Sequence, residues 1–213
     1  MTGLMLLPAA TGLVVWWRDP APSGCGTARR PKVSGRVPAI TVVEHDPAWA
    51  AAFAAERERV SAALGETAVV VEHIGSTAVP GLPAKPIVDI AVALPDMAQA
   101  DAAVAALVAA GYVRDPAGDF GDRLFLRRLT AAGAPTHHLS LTRHGSPYWE
   151  DHLAFRDALR AGPDLCRRYG ELKRRLAADH EDVEAYTRGK TALVREALLS
   201  VGHEPRSGWA AGL

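Results

Sequence analysis

Apolar runs near the middle of the chain predict the strands of a sheet. Residues 68–74 form one such run, and residues 87–94 form a second that is apolar enough to be buried on both faces. Two later segments, residues 123–129 and 137–142, predict an antiparallel pair of strands joined by a short connection. Residues 112–113 form a further short strand candidate. The centre of the chain therefore has strand character.

Helical spacing of apolar positions predicts helices around these strands. The first helix lies between Pro47, which suits a first helical position, and Gly65, which suits a helix end. The other predicted helices cover residues 95–110, 148–160, 164–178 and 183–200. Strands with helices before and between them, followed by a run of helices, predict an α+β fold.

Composition separates the two ends of the chain from its middle. Residues 4–17 are apolar and uncharged, but they are fewer than the roughly 20 residues that span a bilayer, and no Lys or Arg precedes them as in a signal peptide. Residues 19–38 are rich in Pro, Gly and basic residues, as linkers are. We expect residues 1–39 to be a disordered extension without firm membrane association. Residues 40–201 then form one domain, and residues 202–213 a tail.

The charge balance limits the class of partner. Lys plus Arg and Asp plus Glu both total 24, so the formal net charge is zero and no broad nucleic-acid-binding face is expected. The two cysteines, Cys25 and Cys166, do not make a disulfide framework. A reducing compartment, the cytoplasm, is the expected location.

A Gly-Ser turn between the two central strands is the strongest candidate for chemistry. Gly75 and Ser76 offer backbone N–H groups and a hydroxyl, which suit a phosphate group. Asp89 lies on the strand that follows, and a carboxylate beside such a turn can hold the divalent metal that phosphates need. A turn that binds phosphate and an acid that binds a metal ion are the minimum set of groups for binding a nucleotide and acting on it.

Residues 71–90, which contain this turn, resemble the signature of the GrpB family. The resemblance extends over about residues 40 to 200 and includes residues 45–49, 137–139, 149–157 and 186–191. The family is placed in the nucleotidyltransferase superfold. The resemblance therefore implies a nucleotidyltransferase-like mixed β-sheet with flanking helices and a C-terminal three-helix segment.

The superfold pattern implies a metal site as well. It places two acids at i and i+2 on a strand, where they face the same side and hold Mg²⁺ against a nucleoside triphosphate. Asp89 would be the first acid, but Ala91 stands at the second position. Glu72, near the end of the preceding strand, is the candidate replacement. Asp89 and Glu72 are thus the expected Mg²⁺ ligands and catalytic residues.

Further candidates surround these two acids. The candidates for nucleotide or phosphate binding are Gly75, Ser76, Thr77, Lys85, Arg123 and Lys190. His73 and His138 are candidate pocket residues, and neighbouring His137 would face the opposite side of the strand from His138. The alternatives are an ordinary strand-ending turn, a strand-end Asp89 paired with Lys85 or an arginine, and solvated surface charges.

Three functions fit these features, and whether the chain is an enzyme stays open. The first is Mg²⁺-dependent binding of a nucleoside triphosphate, with nucleotidyl transfer to an unknown acceptor. The second is a catalytically degenerate module that binds a nucleotide or another phosphate compound for regulation, which Ala91 favours. The third is a metal-dependent phosphohydrolase that uses Asp89, Glu72 and His138.

Overall fold

The computed structural model describes residues 40–68, 70–121, 123–179 and 183–208. The extension expected at residues 1–39 and the last residues of the expected tail, 209–213, lie outside the described residues. Within the described ranges, no helix is both long enough and apolar enough to cross a membrane.

Five strands form one mixed sheet in the order β1-β2-β5-β4-β3. The sheet pairs β2 with β5 in parallel, and its other neighbouring strands are antiparallel. The strands are β1 Val70–Ile74, β2 Val88–Leu94, β3 Val113–Arg114, β4 Leu124–Leu129 and β5 Pro135–Arg143. The long apolar run of β2 explains its place inside the sheet, because a strand with neighbours on both edges and helices on both faces meets no solvent.

Helices cover both faces of β2, and the alternation of its side chains decides which residues they meet. Ile90 and Val92 point into a core formed with α1, Ala48–Leu64, and α2, Ala100–Ala109. Ala91 and Ala93 point the other way, against Tyr148 and Trp149 of α3, Pro147–Ala161. The small alanines let α3 lie close to the sheet.

Three more helices follow α3 at the C-terminal end of the domain. They are α4 Pro163–Asp179, α5 Val183–Arg188 and α6 Thr191–Ser200. The segment predicted as one helix over residues 183–200 is therefore divided, with a turn at Gly189 and Lys190. A side chain at position 189 would come within 2.6 Å of the Leu176 Cδ2 methyl, so the turn packs tightly on α4.

The predicted fold class is confirmed as α+β, with a mixed sheet, flanking helices and a helical C-terminal segment. The predicted antiparallel pair is confirmed as β4 and β5. The β-branched run at residues 40–43 contributes an isolated bridge between Val43 and Ala84. The helix predicted from residue 95 begins as a single 3₁₀ turn, which the Asp96 side chain caps by accepting from the Ala98 N–H at 2.9 Å.

Candidate functional site

A cleft of about 1120 Å³ lies between the α3 face of the sheet and the C-terminal helices. One wall comes from the end of β1, the start of β2 and the facing residues of β4 and β5. The other wall comes from α3, α4 and the turn between α5 and α6. Predicted site residues in its lining are Gly75, Ser76, Lys85, Asp89, Arg123, His138 and Lys190. Most of the predicted site therefore comes together in space.

Gly75 and Asp89 meet because β1 and β2 pair in antiparallel register, with Ile74 opposite Asp89. Gly75 follows directly with φ 69° and ψ −167°, a conformation that is essentially confined to glycine. A Cβ atom at this position would lie 2.9 Å from the Asp89 Cβ and 3.0 Å from its Cγ. The turn backbone therefore rests directly on the Asp89 side chain.

The nearest polar partner of Asp89 is His138 on the parallel strand β5. The two residues are in register, and the His138 Nδ1 lies 3.2 Å from the Asp89 Oδ1. About a third of the Asp89 side chain, 36%, is exposed to the cleft. The partner is thus the histidine rather than the lysine or arginine expected as an alternative.

Two lysines from distant parts of the chain share one aromatic ring in the cleft. The Nζ atoms of Lys85 and Lys190 lie 4.7 Å and 4.4 Å from the centre of the Tyr186 ring. Burial lowers the pKa of Lys190 to about 8, and repulsion from Lys85 adds to the effect. Burial also lowers the pKa of Lys85, while Asp89 partly offsets it. The protein thus holds two positive charges close together, which is energetically unfavourable.

Lys173 on α4 is a third cleft lysine, and it is not among the predicted site residues. Its side chain is only 1% exposed, donates to the Pro83 carbonyl oxygen and lies 4.8 Å from the centre of the Tyr169 ring. Burial, with repulsion from Lys190 second, lowers the pKa of Lys173 to about 7. A signal was present in the sequence, because Tyr169 and Lys173 repeat the i, i+4 spacing of Tyr186 and Lys190.

Arg123 approaches from the sheet side of the cleft. Its guanidinium group lies 4.8 Å from the centre of the Phe125 ring and 5.2 Å from that of Tyr148, and it donates to the Gly118 carbonyl oxygen. The planar group therefore rests on aromatic side chains while facing the cleft, as arginines at anion-binding sites do.

Three predicted site residues do not line the cleft. Glu72 accepts a hydrogen bond of 2.6 Å from Arg156 on α3. Thr77 is buried, and its hydroxyl lies 3.0 Å from the His73 Nε2. His73 is on the opposite face of β1 from Glu72, where its ring stacks on Phe53 at 4.6 Å and burial lowers its pKa to about 4. His73 is thus a core residue rather than a pocket residue.

The residues around Asp89 do not fit a resident Mg²⁺ ion. Ala91 removes the second carboxylate, and Glu72 is held by Arg156. Across the described ranges, no group of three or more His, Cys, Asp or Glu side chains is placed to hold a metal ion. Mg²⁺ needs several oxygen ligands in near-octahedral geometry, and here one carboxylate stands among lysines.

A family model and a solved structure among the comparisons with known proteins carry the same family name. The family model described as GrpB protein matches residues 39–199. The crystal structure of the conserved protein GrpB from Enterococcus faecalis matches with a TM-score of 0.68 and 32% identity, over 76% of this chain and 100% of that chain.

Two curated relatives are similar over the same share of the chain. The UPF0157 protein YqkA of Bacillus subtilis is 31% identical over 74% of this chain and 46% of its own length. The UPF0157 protein PA4798 of Pseudomonas aeruginosa is 40% identical over 75% of this chain and 66% of its own length. The chain thus spans about half to two thirds of these relatives. With a family match over most of its length, the chain belongs to the GrpB family.

Proposed function

We propose that the cleft binds a nucleotide through its phosphate groups. The observation that carries this proposal is the convergence of Lys85, Lys173 and Lys190. Lys85 repels Lys190, and Lys190 repels Lys173, while Asp89 offsets the pKa shift of all three only in part. A polyanion entering the cleft would relieve this repulsion, because buried charges need opposite charges as partners.

The Gly-Ser turn supplies the second element of a phosphate site. Ser76 lines the cleft next to Tyr169, and its hydroxyl contacts the Tyr169 side chain. A serine hydroxyl, a tyrosine hydroxyl and lysine amines are all donors to phosphate oxygens. The lysines and the turn line the same cleft, so one phosphate chain would reach both.

The cleft also has room and apolar surface for a nucleoside. Its volume of about 1120 Å³ slightly exceeds the roughly 300–1,000 Å³ that is typical of ligand pockets. Phe120, Phe125 and Tyr148 supply aromatic lining, and Phe120 is 41% exposed. An exposed aromatic ring offers a base a surface for stacking.

Nucleotidyl transfer is a second candidate function, favoured by the position of Asp89 beside the Gly75 turn. It stays a prediction, because the superfold pattern uses a second acid and position 91 is alanine. A phosphohydrolase has less support, since Glu72 does not line the cleft with Asp89 and His138. The acceptor is unknown, and the cytoplasmic location likewise stays a prediction.

Thermal unfolding of the purified chain with each common nucleoside triphosphate tests the proposal, with excess Mg²⁺ and without it. A ligand at a hundred times its dissociation constant adds about 2.7 kcal/mol of stability, enough to raise the unfolding temperature. Lys85→Met and Lys190→Met should each reduce the shift to about half or less, as expected for affinity that is weaker by tenfold or more. Arg175→Met is the matched control, because Arg175 is exposed on α4 and does not line the cleft. No shift with any nucleotide in either condition would contradict the proposal.

A further inference from the structure

The place of the second metal-binding acid is closed in this fold. Ala91 lies two residues after Asp89 on the same face of β2 and is completely buried. It packs in one cluster with Tyr148 and Trp149 of α3. This position therefore supplies no oxygen ligand.

Glu72 is not available as a substitute ligand. Its carboxylate binds the Arg156 Nη1, and the same nitrogen donates to the His73 carbonyl oxygen at 3.0 Å. The Arg156 residue is only 9% exposed. Arg156 also binds the Asp157 carboxylate, so Glu72 is one of two carboxylates that neutralise this guanidinium group. Turning Glu72 toward Asp89 would remove one of them, which the burial of Arg156 disfavours.

Asp89 has a protein partner on one of its two oxygens. Oδ1 faces the His138 Nδ1 at 3.2 Å, and the side chain lies so close to the Gly75 turn that a Cβ atom on residue 75 would clash with it. A divalent ion at Asp89 would also meet the field of Lys85 and Lys190, whose charges act on the same carboxylate. The surroundings of Asp89 thus disfavour a second positive ion.

From these contacts we infer that the cleft binds its polyphosphate ligand as a metal-free anion, with Lys85 and Lys190 supplying the positive charge that Mg²⁺ supplies elsewhere. The chemistry recognised is a pyrophosphate group, either free or as part of a nucleoside di- or triphosphate. The inference rests on the proposed function and specifies that the ligand binds without a metal ion.

Isothermal titration of the full chain with inorganic pyrophosphate and with ATP, in EDTA and in excess Mg²⁺, tests the inference. Both ligands are expected to bind in EDTA, and Mg²⁺ is expected to weaken binding because it neutralises phosphate charge that the lysines recognise. Lys190→Met should weaken binding in EDTA by about tenfold or more, the loss of one charge-assisted hydrogen bond. Lys190→Arg keeps the charge and should retain binding.

Asp89→Asn distinguishes the two possible sources of positive charge for the phosphates, a Mg²⁺ ion held by Asp89 or the cleft lysines alone. A metal site would lose its ligand, whereas a metal-free anion site would lose a repelling charge and bind as well or better. Asp101→Asn, at an exposed position on α2 outside the cleft lining, matches the charge change of Asp89→Asn, and Arg175→Met matches that of Lys190→Met. Melting curves of each variant report whether it is folded.

Binding that requires Mg²⁺ and disappears in Asp89→Asn would overturn the inference while leaving the proposed function intact. Binding of neither ligand in either condition would overturn both. If ATP binds in EDTA and pyrophosphate does not, the inference stands and the recognised group belongs to a nucleotide.

Discussion

Replacing Gly75 with alanine changes two features of the site with a single methyl group. The backbone at this position has φ 69° and ψ −167°, a combination that residues with a Cβ atom rarely adopt. The new Cβ would also lie 2.9 Å from the Asp89 Cβ and 3.0 Å from its Cγ, closer than non-bonded carbon atoms approach. Either the turn or the Asp89 side chain must move.

The expected cost is the sum of these two effects. A residue held in this part of the backbone map costs about 1–3 kcal/mol. Overpacking against a side chain with little freedom costs about 1–3 kcal/mol more. Gly75→Ala should therefore lower the free energy of unfolding by about 2–6 kcal/mol, and displacement of the turn should weaken pyrophosphate binding as well.

Urea unfolding and pyrophosphate titration measure the two consequences, and Gly65→Ala is the matched control. Gly65 also has a positive φ, 55°, but a Cβ atom there would meet nothing within 4 Å. The control should therefore show the backbone cost without the steric cost and leave binding unchanged. If Gly75→Ala destabilised the protein no more than Gly65→Ala and bound pyrophosphate normally, the close contact would not be what places Asp89.

Two further predictions concern ionisable groups. Lys190 must be protonated to bind an anion, so affinity for pyrophosphate should be constant well below its pKa of about 8 and fall as the pH rises through it, by up to about tenfold per pH unit. The affinity of Lys190→Arg for pyrophosphate should fall less over the same pH range. An equal fall would show that another group causes the pH dependence. Asp151→Ala should destabilise the fold by about 3 kcal/mol, because the buried carboxylate accepts from His203, the Arg206 N–H and both donors of Ser207. Urea unfolding measures this loss, and proteolysis near the C-terminus should become faster. An unchanged unfolding midpoint would show that these contacts do not anchor residues 203–207 to α3.

Much of the fold follows from local patterns in the sequence. The apolar run of β2 and the helical spacing of α1 follow from the geometric repeat of the backbone, so a short stretch of sequence is enough to show them. The boundary at Gly189 and Lys190 was missed because helical spacing continues on both sides of it. The absence of a side chain at Gly189 lets the turn pack there, because a Cβ atom would lie 2.6 Å from the Leu176 Cδ2 methyl on another helix.

The candidate site likewise has one part that local sequence patterns predict and another that depends on contacts between distant segments. The Gly75-Ser76 turn and Asp89 could be identified from the sequence, because they stand at the facing ends of two neighbouring antiparallel strands that residues 75–87 connect. The partners of the other groups come from far along the chain. Arg156 reaches Glu72 across 84 positions, and Lys173 reaches Pro83 across 90.

The sequence by itself thus determined the family, the strands, most of the helices and the turn that faces Asp89. The tertiary structure decided which charges share the cleft, placing Lys173 inside it and Glu72 and His73 outside. Periodicity and turn chemistry act over a few residues, so the sequence displays them directly. The environment of a charge depends on packing between distant segments, which no local pattern records.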